Sequence, residues 1–177
     1  MNNILTSTNA QKVLDFLIQN PGRQFSANEI EKAVKISRAG VNFSLRKLAK
    51  EKLVIREKKA KIYLYAVEHG DPAVKQLKVL RTVVLLKPLL AKVKSFSQKI
   101  ILFGSCARGE NIPKSDIDLF ILTNRQDDVK GIIKKYILNK RFQLVIRTPL
   151  KFVEMKNKEP VFFEEISRGI TLWEDKE

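Results

Sequence analysis

Two carboxylates stand two residues apart in Ser115-Asp116-Ile117-Asp118-Leu119-Phe120-Ile121-Leu122, a run that otherwise reads as a buried strand. At a period of two, Asp116 and Asp118 leave the strand on one face while Ile117 and Leu119 enter the core. Such a pair, about 7 Å apart along the chain, can share hard cations. Just upstream, Lys99 to Glu110 reads as a buried strand, a Gly-Ser turn and one turn of helix. Gly104 lets the backbone come close to a ligand, Ser105 offers an amide and a hydroxyl, and Arg108 offers a guanidinium. A nucleoside triphosphate needs both halves: donors around its phosphates, and divalent ions that neutralise them and align an attack. With one His and one Cys in the chain, the usual zinc ligands are lacking, so any metal must be held by oxygen.

The elements that position these groups follow two breaks in the sequence. His69-Gly70-Asp71-Pro72 is a turn-forming cluster, and Lys94 to Lys99 is a polar stretch before the apolar run Ile100-Ile101-Leu102-Phe103. No internal repeat appears. Before the first break, Val13, Leu14, Leu17 and Ile18 recur at helical spacing from Ser7 to Gln19, and Asn20-Pro21-Gly22 ends the run. Ser26 with Glu29 forms a capping-box pattern that opens a short helix to about Val34. Ser37 caps a third helix through Glu51, with Val41, Leu45 and Leu48 on its buried stripe. Leu53 to Glu57 and Lys61 to Val67 then read as two strands around a basic hairpin, Lys58-Lys59-Ala60. Three helices and a two-stranded basic wing make a winged helix-turn-helix.

The face of the third helix opposite its buried stripe carries Ala39, Asn42, Phe43, Arg46 and Lys50, with Arg38 at its start. Asn and Arg can pair bidentately with adenine and guanine edges, and Phe43 can touch a thymine methyl. Arg56, Lys58, Lys59 and Lys61 are placed for phosphates. The same face would also serve protein contacts, with Phe43 in a dimer core. Between the breaks, Ala73 to Phe96 resembles the long helix that follows the wing in many archaeal and bacterial regulators, where it links or dimerises domains. Lys75, Lys78, Arg81, Lys87, Lys92 and Lys94 lie there without an acid, a pattern expected of a solvated face, with a nucleic-acid contact as the alternative. Pro88 is expected to bend or cut this helix.

The string GSCARGENIPKSDIDL resembles the signature of the nucleotidyltransferase superfamily that includes DNA polymerase beta, and looks most like its minimal nucleotidyltransferase branch. The resemblance extends from about Lys99 to Trp173, including the closing Gly169-Ile170-Thr171-Leu172. It implies attack of a hydroxyl on the α-phosphate of a nucleotide with release of pyrophosphate. It also implies two Mg²⁺ ions on Asp116 and Asp118, with Gly104 and Ser105 gripping the β and γ phosphates. A third carboxylate on a later strand normally helps hold the catalytic metal and takes the proton. The matching strand here, Arg141 to Arg147, has Gln143 in that place. An amide has an acceptor oxygen but no charge, and it is no base near neutral pH. Glu154, about ten residues on and past Pro149, is a poor substitute.

The expected fold is α+β: a winged helix-turn-helix domain over 1–70, a linker or dimerisation helix over 71–97, and a nucleotidyltransferase-fold mixed sheet flanked by helices over 98–177. The expected function is a DNA-binding regulator whose second domain binds Mg-nucleotide with weak or no turnover. The alternative is an active nucleotidyltransferase acting on a protein, RNA or small-molecule hydroxyl, including antitoxin-like action on a helical toxin partner. A purely protein-binding role is the remaining class. Thirty-four Lys plus Arg against 19 Asp plus Glu in 177 residues, a net charge of +15, make a polyanion the first partner to consider. Residues 1–96 hold 19 of the cations and 7 of the acids, which assigns that partner to the first half. A single cysteine excludes an internal disulfide framework. The N-terminus has no secretory pattern and no run is long enough to span a bilayer, so a cytoplasmic protein without a membrane role is expected. A homodimer fits a reader of palindromic sites.

Overall fold

The computed structural model describes residues 7–136 and 141–175. The chain divides into two compact units, Met1–Leu77 and Lys78–Glu177.

The first unit contains α1 (Asn9–Ile18), β1 (Phe25–Ser26), α2 (Ala27–Val34), α3 (Arg38–Lys50), β2 (Ile55–Lys59) and β3 (Ile62–Ala66). Each helix starts where a short polar side chain satisfies an orphan amide. Thr8 with Gln11 and Ser26 with Glu29 form complete capping boxes, and Ser37 Oγ accepts from the Gly40 amide at 3.2 Å. The Ser26 backbone and hydroxyl donate to the Glu29 carboxylate, which holds its pKa below the ordinary glutamate value. Val13, Leu17, Ile30, Val41 and Leu45 form the centre of this unit's core.

The sheet of the first unit departs from the two-stranded wing expected of the sequence. It has three strands in the order β1-β3-β2, because Phe25 and Ser26 pair with Tyr65 and Leu64. Two residues are too few to show a strand period. Leu53 is not the start of a strand: its amide bonds the Leu48 carbonyl at 3.0 Å, with Lys52 left-handed at φ +59°, so it closes α3. The hairpin turn also lies further on than expected. Lys58 and Lys59 are in β2, paired with Tyr63 and Ile62, and the chain reverses at Ala60-Lys61 with Ala60 at φ +53°. The ladder continues as far as a two-residue connection allows.

The helix α4 (Pro72–Val93) is followed by a 3-10 turn, Lys94–Phe96. Val74 and Leu77 pack in the first unit's core; Val83, Leu86, Leu89, Leu90 and Val93 pack in the second's. Pro88 does not cut the helix. Leu86, Leu89 and Val93 are all nearly inaccessible, and this burial outweighs one missing amide hydrogen bond. The charge run is not solvated throughout, since Lys78 is buried.

The second unit continues with β4 (Lys99–Phe103), α5 (Gly104–Arg108), β5 (Ile117–Leu122), α6 (Gln126–Tyr136), β6 (Phe142–Arg147), α7 (Pro149–Lys158), α8 (Pro160–Ser167) and β7 (Ile170–Glu174). Its mixed four-stranded sheet has the order β6-β5-β4-β7, with β5 and β6 parallel and the other pairs antiparallel. Strand alternation separates two cores. Ile100, Leu102, Ile117, Leu119 and Ile121 meet the later turns of α4 and Val129 and Ile133 of α6. Ile101, Phe103 and Phe120 meet Phe152 and Met155 of α7 and Phe162, Phe163 and Ile166 of α8. The result is an α+β unit with helices on both sheet faces.

Candidate functional site

Strand register brings the chemistry-bearing residues of the second unit together at one end of the sheet. Phe103 pairs with Asp118 across β4 and β5, and Asp118 pairs with Gln143 across β5 and β6. Gly104 follows Phe103 directly with φ +66°, and a Cβ placed on it would overlap Asp118 Oδ2 and stand 3.0 Å from Asp118 Cγ. Only glycine meets both demands, a left-handed backbone and contact with the carboxylate. Asp116 lies just before β5 rather than inside it. It is exposed and Asp118 is partly buried, whereas Ile117 and Leu119 are in the core. The side chain of Cys106 bonds the Asp116 carbonyl at 3.4 Å, tying α5 to the aspartate segment.

Burial raises the pKa of Asp118 above the ordinary aspartate value, and the neighbouring charges of Asp116 and Glu165 add to it. Arg108 acts in the opposite direction. The Arg108 guanidinium donates through Nε to Glu110 at 2.9 Å and lies 3.8 Å from Glu165 through Nη1, and the Glu110 bond raises its own pKa. A phosphate reaching Arg108 would therefore compete with two carboxylates. Among the described residues, no group of three or more His, Cys, Asp or Glu is placed to hold a metal ion. Asp116 and Asp118 nevertheless offer hard oxygens, and a cation beside them would relieve the repulsion that raises Asp118.

Gln143 occupies the sheet position beside Asp118, where the family resemblance put it, and its side chain is exposed. Glu154 does not join the pair: it bonds Lys158 at 2.8 Å on α7, and this contact lowers its pKa. Glu165 is the residue that sequence reasoning missed. Its neighbourhood depends on α8 packing against β4, with Phe162 edge-on to Phe103 at 5.8 Å and Ile166 fully buried, and no local motif encodes that.

In the first unit, Phe43 is 67% exposed on α3, beside exposed Ala39, Arg46 and Lys50 and partly covered Asn42. Phe43 also borders a cleft with Thr8, Asn9 and Lys47. Arg38 is exposed but pairs with Glu31 at 3.1 Å. On the hairpin, Arg56 stacks 3.6 Å above the Tyr63 ring, and Lys59 Nζ donates to Gln24 Oε1 at 2.8 Å. Lys58 and Lys61 are exposed on β2 and the turn.

Residues 86–177, more than half of the chain, match the family described as polymerase beta, nucleotidyltransferase. The chain belongs to this nucleotidyltransferase family. Among solved structures, a candidate nucleotidyltransferase from Sulfolobus solfataricus is similar at 18% identity and a TM-score of 0.41, over 59% of this chain and 91% of that one. A possible transcriptional regulator from Methanosarcina mazei Go1 is similar at 16% identity and a TM-score of 0.34, over 46% of this chain and 75% of that one. No curated protein sequence matches the chain. No helix among the described residues is long and apolar enough to cross a membrane.

Proposed function

We propose that the chain is a DNA-binding regulator whose nucleotidyltransferase-fold domain binds a magnesium–nucleoside triphosphate with weak or no turnover. One observation carries the second half of this reading: Gln143 stands in register with Asp118, where an amide brings neither negative charge nor basicity. Loss of general-base help is typically worth about 10²- to 10⁴-fold in rate, while the close approach of Gly104 to Asp118 supports a retained ligand site. Asp116 and Asp118 would hold Mg²⁺, which when bound neutralises phosphate charge. Gly104, Ser105 and Arg108 would face the phosphates. The first half of the reading treats α1 to β3 as a winged helix-turn-helix. Asn42, Phe43 and Arg46 would meet base edges, and Arg38, Lys50, Arg56, Lys58, Lys59 and Lys61 the phosphates. A homodimer would present two such faces to a palindrome, and a toxin-like protein partner would be the target of an antitoxin-like variant of this role.

A second reading, an active transferase, is favoured by Glu165, which lies 3.8 Å from Arg108 and whose charge acts on Asp118, supplying a negative charge that Gln143 lacks. Titration calorimetry and labelling with α-phosphate-labelled ATP separate the two. We expect Mg-ATP to bind the wild type, binding to vanish in Asp116→Ala Asp118→Ala, and labelling to rise only in Gln143→Asp. Efficient wild-type labelling that is lost in Glu165→Gln would replace the first reading with the second. Absence of any heat would reject both.

A further inference from the structure

Strand β6 lies at the edge of the sheet, with β5 on one side. The Ile117 amide bonds the Arg141 carbonyl and the Thr123 amide bonds the Arg147 carbonyl. In a parallel ladder this fixes the alternation: Arg141, Gln143, Val145 and Arg147 direct their backbone groups to β5, whereas Phe142, Leu144 and Ile146 direct theirs outward. The Ile146 carbonyl accepts from Arg147 Nη1 at 3.2 Å, as an outward carbonyl can. The edge runs between α6 and α7, which pack in different cores on opposite faces of the sheet. These helices wall a cleft of about 640 Å³ whose lining includes Leu144, Ile146 and Met155. Four cations, Lys130, Arg147, Lys151 and Lys158, line it against two acids, Glu154 and Glu159; Lys158 is paired with Glu154 and Lys130 lies 3.6 Å from Asp127, both exposed pairs that an incoming carboxylate can share.

We propose that this edge is a docking site for an extended acidic segment of a partner protein, which adds to the sheet beside β6. An added strand would pair with the outward groups of Leu144 and neighbours and send its side chains alternately to the two walls. Acidic side chains on the α7 wall would meet Lys151 and Lys158, and those on the α6 wall would meet Lys130. A nucleic-acid strand could use the cations but has no backbone pattern to match the strand edge, and it would leave the apolar floor unfilled. A second copy of this chain would bring the same four cations against themselves. The site is separate from the Asp116–Asp118 pair and does not rest on nucleotide binding.

The test uses the full chain and a fluorescein-labelled octapeptide of alternating Val and Glu, read by fluorescence anisotropy. Two control peptides carry N-methyl groups on all Val or on all Glu residues. We expect saturable binding of the parent peptide, a loss of at least about tenfold for one of the methylated peptides, and a similar loss in Lys151→Glu Lys158→Glu with its melting temperature retained. The methylated peptides keep the test valid even where the protein variant folds poorly. The proposal is overturned by binding weaker than about 1 mM, which would leave the cations as guards of an exposed edge. It is equally overturned if both methylated peptides bind like the parent, if octathymidylate displaces the peptide, or if the chain pairs with itself through this edge.

Discussion

The surroundings of Asp118 disfavour its charged form: partial burial, Asp116 and Glu165 all favour the protonated acid, and Arg108 only partly offsets them. A native pKa above the unfolded value means that the folded state binds the proton more tightly, so this group lowers stability as pH rises through its native pKa. We expect Asp118→Asn to raise the melting temperature at neutral pH, with the gain shrinking as pH falls through the native Asp118 titration toward the ordinary aspartate range. Mg²⁺ should raise the wild-type melting temperature and leave that of Asp118→Asn unchanged; scanning calorimetry reads both. Gly104 and the closeness in sequence of Asp116 and Asp118 were legible because a short turn and a two-residue spacing are local, although Asp116 falls just before β5 rather than in its alternation. Gln143 was found through the family resemblance, and its register with Asp118 joins distant strands. The contact of Gly104 with Asp118 and the presence of Glu165 were not legible, since both arise from elements that pack together across a distance in sequence.

At the scale of elements, the capping residues Ser26, Glu29 and Ser37 announced their helices, because their partners lie within three residues. The hairpin was misplaced for the opposite reason: β2 is exposed along its whole length, so burial leaves no alternation to mark its end. Pro88 does not cut α4: the packing around it is not part of local propensity. Glycines separate the two kinds of constraint. A Cβ at Gly169, just before β7, would stand 2.5 Å from Ile101 Cγ2 and 2.6 Å from the Leu102 carbonyl oxygen. Backbone there cannot yield cheaply, so Gly169→Ala should lower stability by about 1–3 kcal/mol in urea unfolding. Gly131 lies inside α6 with nothing within 4 Å of an added Cβ. Gly131→Ala should raise stability by about 0.5–1 kcal/mol in the same measurement.

For the whole molecule, the division into units changes how the charge is read. Residues 1–77 hold 14 Lys plus Arg and 7 Asp plus Glu, whereas residues 78–177 hold 20 and 12. The cationic excess is therefore shared, because much of the basic α4 falls in the second unit, and net charge alone does not assign the polyanion. Salt dependence does so on the proposed DNA-binding reading. Lys58→Ala should reduce the slope of log affinity against log salt by about 1, while Asp118→Ala leaves DNA affinity unchanged; titrations at several salt concentrations check this. The single cysteine offers a different measurement. Cys106 is 2% exposed and its side chain is bonded to the Asp116 carbonyl, so a maleimide can reach it only when the segment between α5 and β5 opens. Its alkylation half-life is thus a clock for that opening, set by the chain itself, and on the proposed nucleotide-binding reading it should lengthen in Mg-ATP.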